Sequence, residues 1–267
     1  MSDPDVGAFR ARREPPAFRL LTVQRTEELS PRLIRVTIGG PALEGFEKPE
    51  LAASVRLLLP APGAETITLP TWNGNEFRNA DGSRPALRTL TPRHHRPLDQ
   101  ELDVDVVLHG DTALATWAAT AEPGSPVAMS GPGRGYEIDP RATDFLLLGD
   151  ESALPAIAQL LEHLPAAARV NVLVEVADPT GRLAFPDRPG LDVTWLDQPD
   201  PDQPGAVLVE AVHAATISAD THIWVAGEAA AVQAIRRHLF GERSIPRSRA
   251  VVRGYWKLGR NSASPEP

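Results

Sequence analysis

Apolar residues fall in short runs and alternations through the first half of the chain and recur at helical spacing mainly after residue 144. Segments 17–25, 34–39, 54–59, 66–69, 87–91, 102–109 and 126–130 are rich in Val, Thr, Ile and Leu and are cut by turn residues, which predicts seven short strands. Only residues 114–121 read as a helix in this half. Short strands with one helix predict a small antiparallel barrel. The stretch 71–85 holds Asn73-Gly74 and Asp81-Gly82 with little periodicity. It reads as a long loop, and loops of this length in compact domains often carry function.

From Asp144 the pattern changes. Phe145, Leu146, Leu147 and Leu148 form a continuous apolar run, as expected of a strand covered on both faces. Leu154, Ile157, Leu160, Leu161 and Leu164 then follow helical spacing over 153–164. Strands at 170–176, 191–196, 222–226 and 249–254 alternate with helices at 205–214 and 229–239, which predicts a parallel sheet with helices on its faces. The fold class is therefore α+β with two domains, an N-terminal antiparallel β-barrel over residues 1–140 and an α/β parallel-sheet domain over 141–267. Ligands of open α/β sheets settle outside the carboxyl ends of the strands, where Gly149-Asp150-Glu151 lies. That turn lacks Gly-x-Gly-x-x-Gly and Gly-x-x-x-x-Gly-Lys, and its two acids would repel a pyrophosphate set directly on it. An ordinary βα junction with acidic N-capping is the plain alternative.

Composition narrows the chemistry. The 267 residues are 42% hydrophobic, no stretch approaches the length of a membrane span, and residues 1–13 carry no apolar signal core, so a cytoplasmic protein is expected. With no cysteine, thiolate catalysis and Cys-held zinc or iron–sulfur clusters are excluded, and redox chemistry would have to come from a bound cofactor. A net charge of −8 argues against general nucleic-acid binding. Near the C-terminus the balance reverses: Arg243, Arg247, Arg249, Arg253, Lys257 and Arg260 face only Glu242 and Glu266, as a solvated basic tail or a landing site for an anion. Adjacent His94 and His95 point to opposite faces of a strand and are assigned to the surface rather than to a metal. No coiled-coil repeat is evident, and a monomer is expected.

Four stretches stand in a telling order: Arg88-Thr89-Leu90-Thr91-Pro92-Arg93; Val106-Val107-Leu108-His109-Gly110-Asp111 leading to Ala115-Thr116-Trp117-Ala118; Gly149-Asp150-Glu151-Ser152-Ala153-Leu154-Pro155-Ala156; and Trp224-Val225-Ala226-Gly227-Glu228 with Gly254-Tyr255-Trp256-Lys257-x-Gly259. Together they resemble the siderophore-interacting protein family, FAD-dependent ferric-siderophore reductases related to the ferredoxin-reductase fold, over about residues 18–260. The resemblance makes the barrel an FAD-binding domain and the second domain NAD(P)-binding-like. It implies that Arg88, Thr89, Leu90, Thr91 and Arg93 meet the flavin and its diphosphate. It places Val107, Leu108, His109, Ala115, Thr116 and Trp117 on the pyrophosphate side, where a helix N-terminus supplies N–H groups. Asp150, Glu151, Ser152, Ala153, Gly227 and Glu228 would face the nicotinamide. Lys257, with Arg253, Tyr255 and Trp256, would meet the substrate.

The chain departs from the family pattern at two points. Leu90 stands where most members carry Tyr, and losing an aromatic stack worth about 0.5–1.5 kcal/mol weakens a cofactor roughly three- to tenfold. The segment before Ala115-Thr116 lacks the usual Gly-Pro, and a Cβ at Ala113 limits how closely the backbone approaches a phosphate. The implied reaction is FAD-dependent reduction of a ferric siderophore, with electrons from NAD(P)H and release of ferrous iron. It needs no catalytic side chain and no protein metal ligand. A general NAD(P)H:flavin or electron-carrier reductase, and a non-catalytic ferric-siderophore-binding module, are the alternatives. NADPH, NADH and a ferredoxin all stay open as donors; Arg182 and Arg188 could meet a 2′-phosphate or be loop charges.

Overall fold

The computed structural model describes residues 16–47, 49–61, 63–108 and 112–259. The first half comprises β1 (Arg19–Ser30), β2 (Leu33–Gly39), β3 (Val55–Leu58), β4 (Thr71–Trp72), β5 (Phe77–Arg78), β6 (Leu87–Leu90), β7 (Pro92–Arg96), β8 (Glu101–Val107), α1 (Ala113–Thr120) and β9 (Pro126–Ser130). Seven of these strands make one antiparallel sheet in the order β6-β3-β9-β1-β2-β8-β7. Its two edge strands are separated in the chain by Thr91 alone. The sheet therefore curls into a half-barrel whose edges meet at one corner, around a core that includes Val36, Ile38, Leu57, Val104, Val127 and Met129. Trp117 and Ala118 of α1 pack onto that core.

Two features differ from the expected pattern. Residues 66–69 form no strand, because Leu69 stays exposed and the segment pairs with no other strand among the described residues. The stretch 71–85 instead holds the β4–β5 hairpin, whose turn is tied by Asn75 and Glu76 N–H groups donating to Asn73 Oδ1 at 3.0 and 2.9 Å. Strand β7 was not among the seven strands expected from the apolar pattern, since His and Arg fill its positions, although His94 and His95 were read as neighbours on a strand. Charge holds it, since Arg96 pairs with Glu101 and Asp103 of β8, and the His94 ring is hydrogen-bonded to Asp103 at 3.1 Å. His95 packs edge-on against Phe46 at 5.3 Å.

The second half comprises β10 (Asp144–Asp150), α2 (Leu154–His163), β11 (Arg169–Val176), β12 (Leu191–Asp197), α3 (Ala206–Ala214), β13 (His222–Glu228), α4 (Ala229–Arg237) and β14 (Ala250–Trp256). All five strands run parallel in the order β12-β11-β10-β13-β14. The apolar run of β10 serves both faces, Phe145 and Leu147 packing with the α2 core and Leu146 and Leu148 with that of α3 and α4. The order reverses between β10 and β13, so the carboxyl ends of those two strands flank the crevice where such sheets bind ligands. Among the described residues, no helix is long and apolar enough to cross a membrane.

A seam of polar contacts joins the halves. Arg32, in the β1–β2 turn, donates two bonds to Glu151 at 2.6 and 2.7 Å. Arg93 pairs with Glu162 of α2. Gln159 accepts from Ala52 N–H at 2.6 Å and donates to Pro92 O at 3.2 Å.

Candidate functional site

The corner at Thr91 lies on this seam. Thr91 is buried, and its side chain is hydrogen-bonded to Tyr255 of β14, whose ring stands edge-on to Trp224 at 6.2 Å. Burial pushes the Tyr255 hydroxyl above its ordinary pKa. On β6, Arg88 is half-buried and makes one polar contact among the described residues, donating to the neighbouring Leu87 carbonyl at 2.8 Å. Burial pushes its guanidinium below the ordinary value, and no carboxylate offsets this. Thr89 is exposed and Leu90 half-buried against the barrel core.

Helix α1 begins nearby in sequence, capped by Thr112, whose hydroxyl accepts from Ala115 N–H at 3.2 Å. Its first turn leaves the N–H groups of Ala113 and Leu114 without intrahelical acceptors. Val107 and Leu108 are half-buried, Ala115 is buried and Thr116 is exposed. The buried Trp117 Nε1 has no acceptor among the described residues. His109, with Gly110 and Asp111, lies outside the described residues. An uncompensated guanidinium, free helix N–H groups and an orphaned indole N–H are what an acceptor-rich, anionic cofactor requires, and FAD is such a group.

At the carboxyl edge of the parallel sheet the residues are tightly engaged. Asp150 Oδ1 accepts from the Ser152 N–H at 2.9 Å and from the Ser152 hydroxyl; Oδ2 accepts from Glu228 N–H and Trp256 Nε1, both at 2.8 Å. Burial raises its pKa against these four bonds. Two glycines make the arrangement possible. A Cβ on Gly149 would lie 2.3 Å from Ala153 Cβ, and one on Gly227, at φ 153°, would lie 2.6 Å from Asp150 Oδ2. Ala153 is fully buried, and Glu151 is turned toward Arg32. Glu228 caps α4, accepting from Ala230 and Ala231 N–H groups.

Of the residues expected at the substrate end, Lys257 is exposed with no partner among the described residues. Arg253 spans the seam, donating to Ala52 O at 2.9 Å, Arg134 O at 3.1 Å and Gly135 O. Arg182 pairs with Asp197, and Arg188 closes the end of α2 by donating to the carbonyls of Leu161, Leu164, Pro165 and Ala168. The structure thus gathers Thr91, Tyr255, Trp256 and Asp150 at the seam and turns Arg93, Glu151 and Arg253 into ties across it. Arg32 and Thr112 were not foreseen. Thr112 carries a legible signal, a Thr just before a helical run; Arg32 carries none, because its partner is 119 residues away.

Comparison with known proteins agrees with this architecture. Residues 22–136 match the model of the siderophore-interacting FAD-binding domain, and residues 142–259 that of the siderophore-interacting protein. The ferric vibriobactin reductase ViuB of Vibrio cholerae is 32% identical over 91% of this chain and 90% of its own length. The NADPH-dependent ferric-chelate reductase of Escherichia coli is 30% identical over 90% of this chain and 92% of its own. The crystal structure of a siderophore utilization protein from T. fusca superposes with a TM-score of 0.82 at 33% identity, covering 94% of this chain and 97% of that one. The chain belongs to the siderophore-interacting protein family and carries that family's FAD-binding domain.

Proposed function

We propose that this chain reduces ferric siderophores, taking electrons from a reduced nicotinamide through FAD and releasing ferrous iron. The observation that carries the proposal is the lone, half-buried guanidinium of Arg88 beside the Thr91 corner, where the barrel meets β14 of the parallel domain. When bound, FAD links a two-electron donor to a one-electron acceptor. One dihydronicotinamide and two ferric ions give one oxidised nicotinamide, two ferrous ions and one proton. Hard oxygen donors hold the ferrous ion less strongly, so the chelate lets it go.

The chain's own residues bind and orient. Arg88 would neutralise the diphosphate, and Thr91 would stand at the flavin edge with Tyr255 beside it. Lys257 would draw the anionic chelate, and Arg253 would hold β14 in place as a positioning residue. No side chain acts as nucleophile or iron ligand. A monomer suffices, since the seam is built within one chain, and we set the reaction in the cytoplasm, where reduced nicotinamide is made.

The test is an anaerobic cycle followed at the flavin absorbance band. FAD-loaded protein should bleach with NADPH or NADH and recover on adding a catecholate or hydroxamate ferric siderophore. Bleaching without recovery by any ferric chelate would leave a general flavin reductase. Failure to take up FAD would leave a chelate-binding module.

A further inference from the structure

Gln159 of α2 is a polar side chain buried between the two halves. Its Oε1 accepts from Ala52 N–H at 2.6 Å and its Nε2 donates to Pro92 O at 3.2 Å. Each partner belongs to a larger circuit. Pro92 follows Thr91, whose side chain is hydrogen-bonded to Tyr255. Tyr255 stands two residues beyond Arg253 in β14, and Arg253 donates to Ala52 O at 2.9 Å. The path therefore closes, running from Gln159 through Pro92, Thr91, Tyr255, Arg253 and Ala52 back to Gln159. Ala52, Thr91 and Pro92 come from the first half, and Gln159, Arg253 and Tyr255 from the second.

Two observations set Gln159 apart from the ion pairs of the seam. The first is chemical. Ala52 presents a donor and Pro92 an acceptor, so the group between them must accept on one side and donate on the other, which an amide does and a carboxylate does not. The second is conformational. Ala52 is buried at φ 48°, the left-handed region that a residue with a Cβ avoids, and its N–H and carbonyl are held by Gln159 and Arg253 respectively. Backbone in such a region persists only where its surroundings fix it. The Arg32–Glu151 and Arg93–Glu162 pairs, by contrast, join side chain to side chain.

We infer that Gln159 is a positioning residue for the flavin edge, its amide fixing the Thr91–Pro92 corner against Tyr255. The inference rests on the reading that sets Thr91 and Tyr255 beside the flavin, and it adds that the first helix of the second half controls their placement. Losing either amide bond frees the corner to shift relative to Tyr255, while Arg32–Glu151 and Arg93–Glu162 still hold the halves together. Chemistry at such an edge is sensitive to placement, since a shift of about 1 Å caused from a distance costs up to about a hundredfold in rate. A tyrosine beside a flavin also quenches its emission by electron transfer, which weakens with separation. Emission therefore reports the same displacement without turnover.

Flavin emission of the FAD-loaded protein, and its anaerobic bleaching by NADPH, test this in two variants. Gln159→Met keeps the length of the side chain and removes both bonds. It should raise flavin emission and slow bleaching at saturating NADPH about tenfold, with the half-saturating NADPH concentration changed by less than about twofold. Gln159→Glu regains both bonds only when its carboxyl is protonated. Relative to wild type at each pH, its emission and rate should therefore move from the Gln159→Met values toward wild type as the pH falls from about 8 to about 5. Wild-type emission and rate in Gln159→Met, or a defect in Gln159→Glu that does not change with pH, would overturn the inference. Should Gln159→Met not fold, the pH course of Gln159→Glu decides alone. No ferric acceptor enters these measurements, so a chain that shows this pattern yet is reoxidised by no ferric chelate would sink the ferric-reductase reading alone. A chain that takes up no FAD would sink both.

Discussion

Arg88 sits in an environment that punishes a bare cation. A guanidinium taken half out of water with one backbone carbonyl as partner has lost hydration without regaining a counter-charge. An anionic cofactor corrects the imbalance, and a hydrogen bond to a charged group is worth about 1.5–3 kcal/mol. Arg88→Ala is therefore expected to weaken FAD about ten- to a hundredfold in a titration at the flavin band, without lowering the unfolding midpoint of the cofactor-free protein. An affinity change below about threefold would mean that Arg88 is not the diphosphate's partner. The next two arginines along the chain behave differently, since Arg93 is committed to Glu162 and Arg96 to Glu101 and Asp103. Sequence spacing could nominate the arginines of the motif; only the fold distinguishes the one left without an acid.

The elements differ in how far they were legible. The β10–α2 unit was readable because double-sided burial and helical spacing leave a local trace. Strand β7 left no apolar trace, as its pairing rests on charge with β8. Asp103 is the centre of that ladder. Burial would raise its pKa, but Arg96, Thr37 and His94 outweigh burial and hold it at about 2, below its ordinary 3.8. A depressed carboxylate contributes stability above its unfolded pKa and loses it as pH falls through the folded one. Asp103→Asn should thus cost about 2 kcal/mol in urea unfolding at neutral pH, and the gap to wild type should close as the pH is lowered from about 4 toward 2. A gap independent of pH would assign the loss to packing instead. The seam itself was illegible for a related reason. Arg32–Glu151 and Arg253–Ala52 join residues more than 100 positions apart, and no local pattern announces them.

At the scale of the whole molecule, a net charge of −8 repels an anionic chelate from most directions. Lys257, exposed beyond β14, is a local reversal of that field. Lys257→Glu should raise the half-saturating concentration of an anionic ferric chelate about three- to tenfold in stopped-flow reoxidation, with the effect shrinking as salt is added. An equal effect on a neutral acceptor would show that the residue shapes the protein rather than attracting the substrate.

Strand β14 is the last element of the parallel sheet to leave the ribosome, and it carries Arg253 and Tyr255, which reach back to Gly135 and Thr91 of the first half. Domains generally fold in the order they are synthesised. The barrel and four parallel strands can be complete while the two halves still lack these clasps. A nascent chain therefore lacks both the Tyr255 contact to Thr91 and the Arg253 ties across the seam until its final strand is laid down.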